Sequence, residues 1–417
     1  MSVRLTSSPK GERLNFTMFL TGRSISVLMS SVYTFAVGLY VLKMTGSSLS
    51  FAITLSLQII PTVLIGPFAG ILADRFSKKI IVVLTDTFNG LLFITLFIIS
   101  TGGFTLFEIY TATLLLSISQ ALYNVCIDSA VPNIVSKDNI IRLNSIGKIV
   151  DSAAIIISPG LGGVLYAVMN IRFFVFWNGM AFLLSTLTEC LIDFRLYYTP
   201  MSQKLKLDLR RDFVAGINYI RKTDWIKSTL LNFLVVNFFS ALCYSVPIPY
   251  ILNNTFHLSS KAYGIVQCFT PFGMILGAML TRKVTGSLPY KRLMMITGVL
   301  FSACLFPLGM LPALALHPSS QLIVPYYSFL LACIGFISAL IDIPFINNFQ
   351  TRVPENIRGR SLSISISIVK VFTPIGYILS GSIISIIPAF YLPLCGGILL
   401  LLFYIAIHIN TIRHALP

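Results

Sequence analysis

Charge is scarce in this 417-residue chain: Asp, Glu, Lys and Arg make up 11% of it, against the roughly 25% typical of a soluble domain. Acids are scarcer still, 14 against 30 bases, for a formal net charge of +16. The four histidines, His257, His317, His408 and His414, show no metal-ligand spacing. The seven cysteines (Cys126, Cys190, Cys243, Cys268, Cys304, Cys333, Cys395) lie singly in apolar runs without a C-x-x-C pair. They read as small buried hydrophobes, not as a disulfide framework or a metal motif. No Walker sequence occurs, and Gly160-x-Gly162-Gly163 falls in the middle of an apolar segment, where no strand–helix turn can cradle a phosphate. No enzyme activity, cofactor or metal is expected. A cleavable signal peptide is not expected either, because Arg4, Lys10, Glu12 and Arg13 precede a segment too long for one.

Apolar side chains fill the chain instead: 56% of residues are hydrophobic and the mean hydropathy is +0.86. In a soluble protein, +16 would suggest a nucleic-acid partner. Here the bases fall between apolar segments, which points to the lipid bilayer and away from nucleic acid. Twelve such segments lie near 15–42, 50–72, 80–100, 106–132, 143–168, 173–194, 229–251, 261–281, 293–312, 322–345, 361–386 and 388–410. Each is near or above the ~20 residues a helix needs to span hydrocarbon. The predicted fold class is therefore an all-α integral membrane protein with twelve transmembrane helices. With both termini cytoplasmic, 25 of the 30 bases fall on the cytoplasmic side, and only Lys43, Arg172 and Lys261 fall opposite. That asymmetry is the positive-inside pattern, and it places both ends of a multi-pass protein inside the cell membrane.

The longest polar stretch, Arg195 to Lys227, divides the chain into six helices plus six. The expected organisation is a bundle over 1–194, a cytoplasmic linker over 195–228 and a second bundle over 229–417. Within the linker, Leu209, Phe213, Ile217 and Ile220 recur at helical spacing among Arg210, Arg211, Arg221 and Lys222, with Asp208 as N-cap. This predicts an amphipathic helix on the inner membrane surface. The halves also echo each other. Gly66-x3-Gly70-x3-Asp74-Arg75 recurs as Gly273-x3-Gly277-x3-Thr281-Arg282, as in two bundles of common ancestry.

The stretch Gly66 to Lys79, G-P-F-A-G-I-L-A-D-R-F-S-K-K, resembles the loop between the second and third helices of the major facilitator superfamily. Gly70, Leu72, Ala73, Asp74, Arg75, Lys78 and Lys79 match or substitute conservatively, while Ser77 replaces a glycine. In the fifth segment, Ala154-x3-Ser158-Pro159-Gly160-Leu161-Gly162-Gly163 is similar to the antiporter motif of superfamily exporters, with a weaker relative in Thr373-Pro374-x-Gly376-x4-Gly381. The exporter arginine of the fourth helix has no counterpart in Ser117–Ala121. Asn15–Ser26, Leu143–Tyr166 and Arg358–Gly381 give the chain a looser likeness to the branch of macrolide-efflux and enterobactin-exporter-like proteins.

The resemblance implies two pseudo-symmetric six-helix bundles working by alternating access on a small-molecule substrate, as a monomer. Asp74 would latch against the partly positive start of the eleventh helix near Gly359–Ser361. Asp128 would pair with Lys78. The kink at Pro159 and the glycines after it would let the fifth helix approach the other half closely. Cavity-lining positions on helices 1, 4, 7 and 10 would include Tyr33, Tyr40, Asn124, Asn237, Tyr244, Tyr326 and Asn347. A cleft so aromatic suits bulky amphiphiles.

An ionisable group within the hydrocarbon costs ~2.5–3.5 kcal/mol on insertion scales, so each is a functional candidate. At ~1.5 Å per residue, Arg23 and Asp151 lie roughly 12 Å deep and Lys370 about 14 Å. Asp86, Asp128, Glu189 and Asp342 lie nearer the cytoplasmic ends, where pairing or snorkelling is easier. The combined reading is a proton-driven exporter of drug-like or siderophore-like molecules. Asp151 is the candidate proton carrier, unless a nearby arginine holds it ionised. Uptake or proton-independent permeation remains the alternative, and a non-transporting receptor is a third.

Overall fold

The computed structural model describes residues 9–197, 209–316 and 319–413; the side chains of 9, 66–75, 209–213, 215–216, 282, 286–287, 355–356, 358–360, 363 and 408–413 lie outside that description. Every regular element among these residues is a helix. The chain runs α1 (Pro9–Thr45), α2 (Ser48–Arg75), α3 (Lys78–Ile99), α4 (Leu106–Ile134), α5 (Lys137–Val168) and α6 (Ile171–Cys190). It continues through α7 (Leu209–Lys222), α8 (Asp224–Thr255), α9 (Ser260–Ser287), α10 (Tyr290–Ala313), α11 (Ser320–Arg352), α12 (Glu355–Ile384) and α13 (Tyr391–Arg413). In order, α1–α6 and α8–α13 coincide with the twelve apolar segments. Eleven are long and apolar enough to cross a bilayer, while the described part of α13, Tyr391–Ile407, forms a shorter apolar helix.

The helix boundaries have local causes. Gly46, at φ +62°, ends α1 in the left-handed region that a side chain disfavours, and its N–H reaches back to the Leu42 carbonyl at 2.9 Å. The Ser47 hydroxyl accepts from the Ser50 amide at 3.2 Å to start α2. Thr105 and Glu108 form a reciprocal capping box at the start of α4. α8 is not regular throughout: it turns π-helical over Ala241–Ser245 and again over Ile251–Thr255, on either side of Pro247 and Pro249. Proline withholds a backbone donor, so the hydrogen-bond ladder slips around it.

The chain forms two compact units. The first comprises Met1–Tyr40 with Leu57–Leu205, and the second Val41–Ser56 with Lys206–Pro417. The turn between α1 and α2 therefore belongs to the second unit, where the Ser48 hydroxyl donates to the Gly381 carbonyl at 2.9 Å. In the first unit, Phe19, Val82, Tyr123, Ile127, Ile134 and Leu143 form one buried cluster. There α3 and α6 meet backbone to backbone: a Cβ on Gly90 would lie 3.1 Å from the Gly179 carbonyl, and one on Gly179 would lie 3.0 Å from that of Gly90. The corresponding helices of the second unit, α10 and α13, repeat the device, with Gly397 facing the Ser302 carbonyl at 3.0 Å. Likewise a Cβ on Gly273 would run into the Ala332 carbonyl, and one on Gly335 into that of Thr270, so α9 and α11 touch main chain to main chain. The repeated glycine pattern thus has a packing cause in its second copy. Its first copy, Gly66 and Gly70, lies among the side chains outside the description, as do Asp74 and Arg75.

The linker contains the helix α7, whose Ile217 and Ile220 pack with Ile226, Phe345, Phe349 and Val353 of the second unit. Val214 on the same helix is 47% exposed. Asp208 lies outside the described residues.

Candidate functional site

The first unit is tied by polar contacts at the end that carries the start of α1. The Asn15 amide donates to the carbonyls of Ile134 (3.0 Å) and Asp193 (2.9 Å), and the Glu12 carboxylate accepts from Ser136, Asn139 and Tyr197. These bonds join the starts of α1 and α5 to the chain leaving α6. Lys79 donates to the carbonyls of Cys190 (2.7 Å) and Ile192 (2.9 Å). Lys78 does the same to Ser129 at 2.8 Å, and it does not pair with Asp128. The reason is angular. Neighbouring residues on a helix point ~100° apart, and Asp128 is turned instead toward α1.

There it meets Arg23. The guanidinium is 4% exposed and holds two carboxylates at once. Nη1 donates to Asp128 at 2.7 Å, while Nε and Nη2 form a fork on the two oxygens of Asp151, each at 2.8 Å. Lys148 completes the cluster 3.3 Å from Asp151, with most of its side chain exposed. The fold brings α1 close enough through a stripe on α5. Gly147 lies against the Arg23 side chain, Ala154 and Ser158 are buried, and a Cβ on Gly162 would already be 2.8 Å from the Phe35 ring. Gly162 thus packs against α1 within its own unit. Of the remaining motif residues, Gly163 is buried, while Pro159 and Gly160 are half-buried. Both oxygens of Asp151 are engaged by charged donors, the strong bidentate geometry of a carboxylate.

A second polar cluster lies one turn further along α1. Asp86 on α3 and Glu189 on α6 are 0% and 1% exposed, and their carboxyls lie within hydrogen-bonding reach of each other. Around them stand Ser26, Asn89, Tyr123 and Ser185, each 2% exposed or less. The Ser26 hydroxyl donates to Asp86 Oδ1 at 3.1 Å. Ser185 gives its hydrogen to the Gly22 carbonyl at 3.0 Å and stands 3.5 Å from Glu189 Oε1. Asp86 and Glu189 read from the sequence as near-surface acids. A signal that could have singled them out was available: both sit at a similar depth from the cytoplasmic ends of their segments, and neither has a base within a turn on its own helix.

The other expected site residues are scattered. Tyr33 is 2% exposed, with its ring 4.5 Å from Phe93, so it fills the core of the first unit and lines no open path. Tyr244 stands in the first π-turn of α8 and shares a 2.8 Å hydrogen bond with Thr270 of α9. Asp342 is half-buried on α11 and enters no ion pair among the described residues; Lys370 is exposed on α12. α12 itself is drawn close to α8 at Gly376, where a Cβ would lie 2.7 Å from that of Ala241.

Comparison with known proteins follows this architecture. The chain is 23% identical to macrolide efflux protein A of Streptococcus pyogenes over 384 residues, 88% of this chain and 89% of that one. It is 23% identical to the enterobactin exporter EntS of Citrobacter koseri over 349 residues, 83% of this chain and 79% of that one. Among solved structures, the nucleoside transporter NupG superimposes with a TM-score of 0.72 at 13% identity, covering 94% of this chain and 98% of that one, a likeness of fold alone. The sequence profile of the Major Facilitator Superfamily matches residues 19–376, helices α1 to α12. The chain, a multi-pass all-α membrane protein, belongs to that superfamily of transporters.

Proposed function

We propose that this protein exports small amphiphilic molecules across the cell membrane by alternating access, in exchange for protons entering the cell. The observation that carries export is the likeness, over more than four-fifths of the chain, to relatives named for macrolide efflux and enterobactin export. Four features support a cycling transporter over a static receptor. They are the superfamily loop around Asp74, the proline-broken α8, the proline inside α5 at Pro159 and the buried charges of the first unit. In this reading Arg23, Asp128 and Asp151 form a structural lock joining α1, α4 and α5, and Asp74 gates the cycle. Tyr244 lies on the substrate path. The protein works as a monomer with both termini in the cytoplasm.

The test is expression in a host stripped of its own efflux pumps, screened against a broad compound panel. Export predicts raised resistance and lower intracellular accumulation for at least one amphiphilic compound, abolished by a protonophore. Sensitisation with raised accumulation would establish uptake instead, and an unchanged profile at full membrane expression would overturn the export reading.

A further inference from the structure

We infer that Asp86 and Glu189 form a proton-binding site inside the first unit, sharing one proton between their carboxyls.

Asp86 Oδ2, Glu189 Oε2, the Tyr123 hydroxyl and both amide atoms of Asn89 are sealed from solvent, and none makes a hydrogen bond of full geometry. Yet the Tyr123 hydroxyl faces Glu189, and the Asn89 amide faces Asp86. The groups that face the pair from the packed helices are few: Ser26 on α1, Asn89 on α3, Tyr123 on α4 and Ser185 on α6. Ser26 supplies one donor. A hydroxyl has a single hydrogen, and that of Ser185 goes to Gly22. None of these four groups is cationic. Arg23, the nearest base on α1, acts on Tyr123 only at a distance and is spent on Asp128 and Asp151.

Two ionised carboxylates in contact, without a counter-charge and out of water, repel each other and forgo their hydration. One added proton removes the repulsion and halves the buried charge, leaving a single negative charge spread over the pair. It turns one carboxylate into a donor to the other, and the unpartnered oxygens, Oδ2 and Oε2, are open to that O–H···O bond. Tyr123 can then donate to Glu189 and the Asn89 Nδ2 to Asp86, which leaves the Asn89 carbonyl oxygen as the remaining atom of the group without a donor. The arrangement follows the logic of carboxyl dyads that share a proton because like charges in contact do not both ionise. The site also lies where α1 packs closely on α6: a Cβ on Gly22, next to Arg23, would run within 2.6 Å of Thr188 and 3.4 Å of Glu189. A sliding of α1 along α6 would therefore alter the dyad and the Arg23 lock together. Use of this proton as the coupling proton rests on the antiport reading given above; its binding does not.

The experiment separates the two. The full chain, purified in lipid nanodiscs in sodium-free buffer, is titrated with pH while the carbonyl absorption of protonated carboxyls is recorded in the infrared. Wild-type protein is prepared with ordinary and with carbon-13-labelled glutamate or aspartate. The expected result is a protonated-carboxyl band at neutral pH that moves with the label and disappears on alkalinisation. It should be lost in Asp86→Asn with Glu189→Gln, whose amides keep hydrogen-bonding side chains of the same size in the network without its charge. Isotope labelling of wild type assigns the band even where the double variant does not fold. A wild-type protein without such a band at any pH, or a band that survives in the folded double variant, overturns the dyad. So does a band abolished by adding sodium ions at constant pH, which would make a metal cation the occupant. None of these readings needs a transported substrate. Failure of the compound panel leaves the infrared result standing, and failure of the infrared result leaves export standing.

Discussion

Arg23 shows why a charge inside the membrane can be structural. It is buried on α1 and its two carboxylates come from α4 and α5, so three helices are registered by one side chain. Removing either end of such a cluster should not cost the same. Arg23→Leu leaves two carboxylates facing each other, and breaking a buried pair this way costs on the order of 3–5 kcal/mol. The lower end applies, because the Asp128 side chain is 48% exposed and water can screen it. Asp151→Asn leaves Arg23 still paired with Asp128, and its stability loss should be the smaller, about 1 kcal/mol. Thermal unfolding of the detergent-solubilised protein measures both. Equal losses would mean that the fork on Asp151 carries the cluster alone. Combining Arg23→Leu with Asp128→Asn and Asp151→Asn should recover much of the single-variant loss, since no orphaned charge remains.

At the scale of the element, packing is set by missing side chains. α5 lies against α1 because Gly147, Ala154, Ser158 and Gly162 leave room along one stripe, and Gly162 is already at its limit against Phe35 and the Val32 carbonyl. Gly162→Leu should therefore destabilise the first unit by about 1–3 kcal/mol through overpacking, seen as a lower unfolding temperature. Unchanged stability with impaired transport would instead assign the glycine to the moving surface. Gly273→Val should be worse, because its Cβ would meet the Ala332 main chain, which cannot rotate aside as a ring can. Gly102→Ala provides the control, since nothing stands within 4 Å of its Cβ position. It should leave yield and stability unchanged. α8 makes a different point at this scale. Its prolines interrupt the backbone ladder where Tyr244 meets α9, and such π-turns concentrate at functional sites.

At the scale of the whole molecule, orientation is the first prediction. With 25 bases on one side of the spans and three on the other, both termini should be cytoplasmic. A single cysteine at Ser47 in a cysteine-free background should react with an impermeant reagent added to intact cells, and one at Ser287 should react only after permeabilisation. The reverse pattern would overturn the topology. The loop acid supplies the second: Asp74→Asn should insert and fold normally yet lower export several-fold, and full export at normal expression would remove Asp74 from the gate.

The sequence alone determined the helices, their order and the superfamily they belong to. Each rests on a quantity summed along contiguous residues, such as hydropathy over one span or basic charge over one loop, and needs no knowledge of neighbours in space. Which side chains meet was decided only by the tertiary structure. Arg23 and Asp151 lie 128 positions apart, and estimated depth brought them level; the rotation of α1 and α5 about their axes turned that coincidence into a fork. The same rotation sent Asp128 to Arg23 and away from Lys78, and turned Tyr33 into the core. It likewise brought Asp86 and Glu189, 103 residues apart, into a sealed site without a base. Depth in a bilayer is additive along a helix and can be counted from one end. Azimuth is fixed by the helices packed on every side, here through the small residues that set how closely α1, α3, α5 and α6 approach.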